Sequence, residues 1–143
     1  MQLRAEILVE SAPEPIWALL TDVRRYREWN PFLCEVEGEL RTGGMLRWTL
    51  AGSDGNQTRE RVVVTEVTPG ERLRMQNIWL RPGLIDTEYR LELVARSDGT
   101  LLVACADVSG WLVKLTSAWR LTAIARGWVG MNEAVKRRIE TAD

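Results

Sequence analysis

The sequence predicts an α+β fold: a curved seven-stranded antiparallel sheet wrapped around a long C-terminal helix, with two short helices between strands one and two. Two patterns and one change of pattern lead there. Residues 2–10 alternate apolar and polar side chains, the period of a half-buried strand. Further on, Gly43-Gly44, Ser53-Asp54-Gly55, Pro69-Gly70, Pro82-Gly83 and Ser97-Asp98-Gly99 are turn signals spaced about one strand apart. From about Leu112 this punctuation stops, and apolar residues recur every three or four positions, the spacing of a helix.

The elements follow in order. After strand one, Ser11 is a fair N-cap, Pro13 suits the first helical turn, and Ile16, Trp17, Leu19 and Leu20 form one apolar face of a helix ending near Thr21. Asp22 can cap a second short helical piece through Tyr26 to Trp29. That piece stops before Pro31, because the residue ahead of a proline avoids the α region. Strands are then expected at 33–40, 45–52, 57–68, 71–80, 84–96 and 100–109, which with strand one make seven, sequentially paired and antiparallel. Leu121, Ile124, Trp128, Met131, Val135 and Ile139 form one stripe of a helix over about 113–141, roughly 43 Å long at 1.5 Å per residue. No repeat, low-complexity tract or linker interrupts the plan, so residues 1–143 read as a single domain.

Composition removes several function classes. With 19 basic and 20 acidic residues the formal charge is −1, and no Lys/Arg cluster is interleaved with aromatics, so nucleic acid is not an expected partner. Charges break the apolar run at the N-terminus, and no stretch of about 18 apolar residues occurs; a cytoplasmic protein without stable membrane insertion is expected. Cys34 and Cys105 lie far apart without a CxxC spacing and read as buried apolar fillers. The chain has no histidine, which removes Ser-His-Asp and Cys-His catalysis and His-based metal sites. Carboxylate, Lys, Tyr or thiol chemistry is what remains, and neither metal nor cofactor is expected.

Four segments carry a resemblance. The passage Ser11-Ala12-Pro13-Glu14-Pro15-Ile16-Trp17, running on to Asp22, leads from a strand into a helix. Tyr26-Arg27-Glu28-Trp29-Asn30-Pro31-Phe32 contains a WNP turn, Gly38 to Gly44 a glycine-bounded hairpin, and Val64 to Leu73 a second hairpin around Pro69. In this order, with a long terminal helix behind them, they resemble the helix-grip fold of the START-like superfamily, also called SRPBCC, and within it the polyketide cyclase and dehydrase group. The resemblance spans nearly the whole chain. It implies an interior cavity between sheet and helix that takes lipids, sterols, polyketides or other apolar molecules, with catalysis in only some branches. It also implies that Trp17 and the WNP turn serve the fold rather than a site.

Strand alternation selects the side chains that face such a cavity, because unpartnered charges are costly inside and mark the outer face. Asp86, Glu88, Arg90 and Glu92 are expected outside, leaving Thr87 and Tyr89 inside. Arg72, Arg74 and Gln76 outside leave Met75, Asn77 and Trp79 inside, and Arg47 outside leaves Trp48 inside. Trp111, Leu115 and Trp119 are expected to face them from the final loop and helix, with Trp128 assigned to helix packing. These side chains either wall a pocket with apolar surfaces and a few polar handles, or fill one another's space.

Three function classes follow. The first is carriage or sequestration of a small hydrophobic ligand by a monomer or homodimer, favoured because no carboxylate is clearly placed inward to act as a base. The second is a cyclase or dehydratase using the same pocket, in which Tyr89 donates a proton and Asn77 polarises a carbonyl; Asp107 is ambiguous in facing and reads more readily as a surface residue. The third, implied by the resemblance, is an interaction module of the kind that activates a heat-shock ATPase.

Overall fold

A computed structural model of the chain describes residues 2–52, 55, 57–78, 86–110 and 118–141, with the backbone alone at 118–120. The described elements are β1 (Gln2–Val9), α1 (Pro13–Thr21), a 3₁₀ turn (Val23–Glu28), β2 (Leu33–Gly38), β3 (Met45–Ala51), β4 (Gln57–Thr68), β5 (Arg72–Asn77), β6 (Asp86–Arg96), β7 (Gly99–Ser109) and α2 (Ala118–Glu140). The expected outer limits of strands five and six (79–80 and 84–85) and the expected start of the last helix (113–117) lie outside the described residues.

The seven strands form one curled antiparallel sheet in the order β1-β7-β6-β5-β4-β3-β2. Strand one does not pair with strand two, as sequential pairing predicts; it lies antiparallel to β7, with Ala5 opposite Ala104 and Val9 opposite Thr100. The physical reason is the helical insert. Strands joined by a short turn pair as hairpins, whereas α1 and the 3₁₀ turn carry the chain from one edge of the sheet to the other before β2 begins. Both edges of the sheet therefore flank this insert.

Ser11 is not the helix cap either. Ala12 occupies that position without a side-chain bond, and the Ser11 hydroxyl donates to the Ala12 carbonyl. Pro13 and Pro15 explain why no cap is needed there: neither has an N–H, so two of the donors that a cap serves do not exist. Asp22 likewise precedes the 3₁₀ turn without a side-chain capping bond. What fixes this turn is burial of Val23 and Tyr26, whose hydroxyl donates to the Leu20 carbonyl. Burial in turn holds the Tyr26 phenol above its ordinary range.

The Asn30 side chain then performs the turn before β2. Its Oδ1 accepts the backbone N–H groups of Phe32 and Leu33, each at 2.9 Å, inside a buried corner. That is a physical reason for Asn between Trp29 and Pro31. Phe32 is thereby aimed at α2, where its ring meets Trp128 edge to face at 5.2 Å.

Helix α2 packs its stripe of Trp128, Met131 and Val135, all fully buried, onto the inner face of the sheet. Polar ties fix its position along β1: Asn132 Nδ2 donates to the Ala5 carbonyl at 3.1 Å and Lys136 Nζ to the Leu8 carbonyl at 2.8 Å. Glu140 closes the contact by accepting the Glu10 backbone N–H at 2.9 Å. The outer face carries a ladder of charges. Arg74 pairs with Glu88 at 2.9 Å and Glu66 at 3.5 Å, and Arg72 with Glu66 at 3.2 Å and Glu92 at 3.4 Å. Cys34 and Cys105 are both free thiols.

Candidate functional site

The inner face of β3 to β6 is built by strict alternation. Leu46, Trp48 and Leu50 on β3, Val62 and Val64 on β4, Leu73, Met75 and Asn77 on β5, and Thr87, Tyr89, Leu91 and Leu93 on β6 are all buried. Cross-strand pairing makes them one surface: Met75 lies opposite Tyr89, and Val62 opposite Asn77. Of the residues expected at the pocket, Trp48, Met75, Asn77, Thr87 and Tyr89 thus share a face. Trp79, Trp111 and Leu115 lie outside the described residues, as does the side chain of Trp119.

Asp107 belongs elsewhere. It sits opposite Glu88 in the β6–β7 register and shares its face with Cys105, whose sulfur accepts from Arg90 at 3.5 Å on the outer side. The inner positions of β7 are Leu102, Ala104, Ala106 and Val108, three of which join the core cluster.

A carboxylate does face inward, and it is Glu60. Two residues before Val62 on β4, it is opposite Trp48 on β3. Tyr89 donates its hydroxyl to Glu60 at 2.9 Å (Oε2) and 3.2 Å (Oε1), and the Trp48 indole N–H donates to Oε2 at 3.4 Å. Both donors are almost fully buried, Trp48 at 3% and Tyr89 at 2% exposure, and their rings meet edge to face at 5.1 Å. The signal was present in the sequence: counting back in twos from Val64 and Val62 reaches Glu60. The charges of Arg59 and Arg61 on either side masked it, since Arg-Glu-Arg resembles a solvated run.

The aromatic contacts continue from Tyr89 to Trp128 at 6.0 Å, so a residue assigned to helix packing also borders this group. Among the described residues, the buried Trp128 indole N–H has no hydrogen-bond partner. Asn77 has a structural task. Its Oδ1 accepts the Thr87 backbone N–H at 2.8 Å and Gln76 Nε2 at 3.2 Å, extending the β5–β6 pairing beyond Gln76–Glu88. Its carbonyl oxygen is thus committed to holding two strands together.

A cleft of about 680 Å³ runs along β2, β3 and β4. Its walls include Glu35, Glu37, Arg47, Arg59 and Arg61, and it extends to Trp48, Thr58 and Glu60. Its lining is largely charged but also includes the buried Trp48 and Thr49, so it shares Trp48 and Glu60 with the inner-face group. Among the described residues, no group of three or more Cys, Asp or Glu is arranged to hold a metal, and no helix is long and apolar enough to cross a membrane.

A curled half-barrel of seven strands closed by one C-terminal helix is the helix-grip architecture. The chain belongs to the polyketide cyclase/dehydrase and lipid transport family, whose model matches residues 1–142. Among solved structures, the Zhui aromatase/cyclase of a Streptomyces species superposes with a TM-score of 0.81 at 15% identity, covering 98% of this chain and 93% of that one. The di-domain aromatase/cyclase BexL gives 0.79 at 17% identity, over 100% of this chain and 51% of that one. StfQ, the di-domain aromatase/cyclase of the steffimycin pathway, gives 0.77 at 16% identity, over 97% and 50%. The chain therefore spans about half the length of these two di-domain proteins. No curated protein matches it.

Proposed function

We propose that this chain is one ligand-binding domain that holds a small, largely apolar molecule of the lipid, sterol or aromatic polyketide kind between the inner face of its sheet and α2. The observation that carries the reading is the group formed by Trp48, Tyr89 and Glu60, an aromatic surface that ends in a single charged polar tip. Apolar walls supply affinity in such sites and a few polar atoms fix orientation. The family to which the chain belongs is described by both polyketide chemistry and lipid transport, which supports the same ligand class.

Trp48 and Trp128 make binding visible. Fatty acids, sterols and aromatic polyketide mimics are to be titrated while tryptophan emission and melting temperature are followed; a bound ligand at 100 times its Kd adds about 2.7 kcal/mol of stability. Unchanged emission and melting temperature across all three classes would refute the reading.

A second reading, a cyclase or dehydratase in the same place, is favoured by the Glu60–Tyr89 pair, because a carboxylate and a phenol in direct hydrogen bond are the components of proton transfer. Polyketone turnover by wild type and by Tyr89→Phe separates it from carriage. Loss of turnover in the variant, with ligand affinity retained, is the result this reading requires.

A further inference from the structure

Helix α2 buries two polar atoms that find no hydrogen-bond partner among the described residues, the indole N–H of Trp128 and Oδ1 of Asn132. The two residues are 0% and 2% exposed and stand one turn apart, about 6 Å along the helix axis, so both belong to the face that meets the sheet. The first atom is a donor and the second an acceptor. The Trp128 ring is held edge to face against Phe32 at 5.2 Å and Tyr89 at 6.0 Å. The Asn132 amide is fixed by its other end, where Nδ2 donates to the Ala5 carbonyl at 3.1 Å. A flipped amide would set Oδ1 against that carbonyl, oxygen to oxygen, so it is the acceptor that is left over.

The sheet beneath carries small side chains at this point. Asn132 is tied to Ala5 on β1 and Trp128 meets Tyr89 on β6, and between those strands runs β7, whose Ala104 lies opposite Ala5 and whose Ala106 lies opposite Tyr89. All three alanines are buried on the inner face, where β3, β5 and β6 present Trp48, Met75 and Tyr89 instead. A donor and an acceptor left unsatisfied in such a place are costly. A hydroxyl group, which accepts and donates at once, satisfies both.

We infer that Trp128 and Asn132 form a polar subsite of the inner face that takes the hydroxyl of an apolar alcohol: the hydroxyl oxygen accepts from the Trp128 indole N–H and its proton is donated to Asn132 Oδ1. This rests on the ligand-binding reading above and narrows its ligand class. A ketone accepts from Trp128 but leaves Asn132 without a donor, and a hydrocarbon serves neither atom. The competing account is that the alanines only let α2 approach the sheet closely and that a buried water, held for the fold alone, joins the two groups. On that account ligand affinity follows apolar area, which ranks a hydrocarbon first.

Three probes with one ring system separate the accounts: tetralin, 1-tetralone and 1-tetralol, titrated calorimetrically at pH 7 into wild type and Asn132→Leu. The indole N–H resonance of Trp128 in ¹⁵N-labelled protein, assigned through Trp128→Phe, is followed in parallel. Wild type is expected to bind 1-tetralol about tenfold or more tighter than 1-tetralone, with tetralin weakest, because each poorer probe leaves one more buried polar atom unpaired. The indole resonance is expected to move downfield with the alcohol and the ketone and not with tetralin. In Asn132→Leu the gap between alcohol and ketone narrows to about threefold or less, since both still accept from Trp128. Equal affinities or tetralin binding tightest in wild type, an indole resonance that ignores the alcohol, or an unchanged gap in Asn132→Leu overturns the subsite while leaving a ligand pocket in place. Failure of all three probes to bind wild type overturns the pocket reading and this inference with it. The wild-type ranking and the indole shift decide the matter by themselves if Asn132→Leu does not fold.

Discussion

Two glycines of α2 provide a sharp test of how the helix meets the WNP turn, because the same substitution is expected to act with opposite sign three residues apart. A methyl group at Gly127 would lie 2.6 Å from Cγ of Phe32 and closer still to its Cδ1 and Cε1, whereas at Gly130 the nearest atom outside the helix is Pro31 Cγ at 3.7 Å. Alanine in a helix interior gains about 1 kcal/mol over glycine. At Gly130 nothing opposes that gain, so Gly130→Ala is expected to raise the melting temperature by about 2–4 °C. At Gly127 the ring has to retreat by more than an ångström to restore ordinary van der Waals contact, because two of its atoms would lie closer than the 2.6 Å of Cγ. Phe32 is 3% exposed and held edge to face against Trp128 at 5.2 Å, so it has little room to do so. Overpacking of this kind costs about 1–3 kcal/mol, and a buried aromatic partner places it in the upper half of that range. Net of the helix gain, Gly127→Ala is expected to lose about 1–2 kcal/mol, or about 2–8 °C at this chain length. Urea unfolding followed by circular dichroism, with Phe32→Leu added in a double-mutant cycle, measures it. A rise in stability equal to that of Gly130→Ala, or no coupling to Phe32→Leu, would refute the argument.

Further outcomes follow from single contacts. Asn30→Ala removes the acceptor of two buried backbone N–H groups and is expected to cost about 1–3 kcal/mol by chemical denaturation, with Asn30→Asp recovering most of it. Tyr89→Phe keeps the ring against Trp48 but takes from Glu60 its 2.9 Å donor; a loss of about 1.5–3 kcal/mol is expected in urea unfolding, and it is expected to vanish in a Glu60→Leu background. The Glu140 carboxyl is held below its ordinary value of 4.5, first by the Glu10 backbone N–H and then by Lys136. Because its folded value is depressed, its contribution is present above about pH 4.5 and lost as the pH falls through the folded value. Thermal melts between pH 7 and 3 are expected to be flat down to about pH 5 and then to fall, less steeply in Glu140→Gln. The carboxyls of Glu28 and Glu66, lowered first by Arg25 and by the Thr68 hydroxyl respectively, act in the same direction and keep the slope from disappearing in that variant.

Much of the fold was legible because it is written in local periods. Alternation on β3, β5 and β6 placed Trp48, Met75, Asn77, Thr87 and Tyr89 on one face, and the three-to-four spacing identified Trp128, Met131 and Val135 as the buried stripe of α2. A period of two is a property of the strand itself, readable without knowing the partner. The same rule reached Glu60 from Val62 and Val64, yet its neighbours in the chain, Arg59 and Arg61, concealed it. Only the cross-strand register, which sets Trp48 opposite Glu60 and brings Tyr89 from 29 residues away, shows that an inward carboxylate has donors.

By itself, then, the sequence determined the order of the elements, the two faces of the sheet and the apolar stripe of the last helix. The tertiary structure decided three things. It paired β1 with β7 across the chain, spent the Asn77 carbonyl on joining β5 to β6, and set Phe32 against Gly127 so that one helix glycine is required and another is not. The division has a physical reason: periodicity reflects the geometry of one segment, whereas pairing, hydrogen-bond convergence and steric room depend on which distant segments share a few ångströms of space.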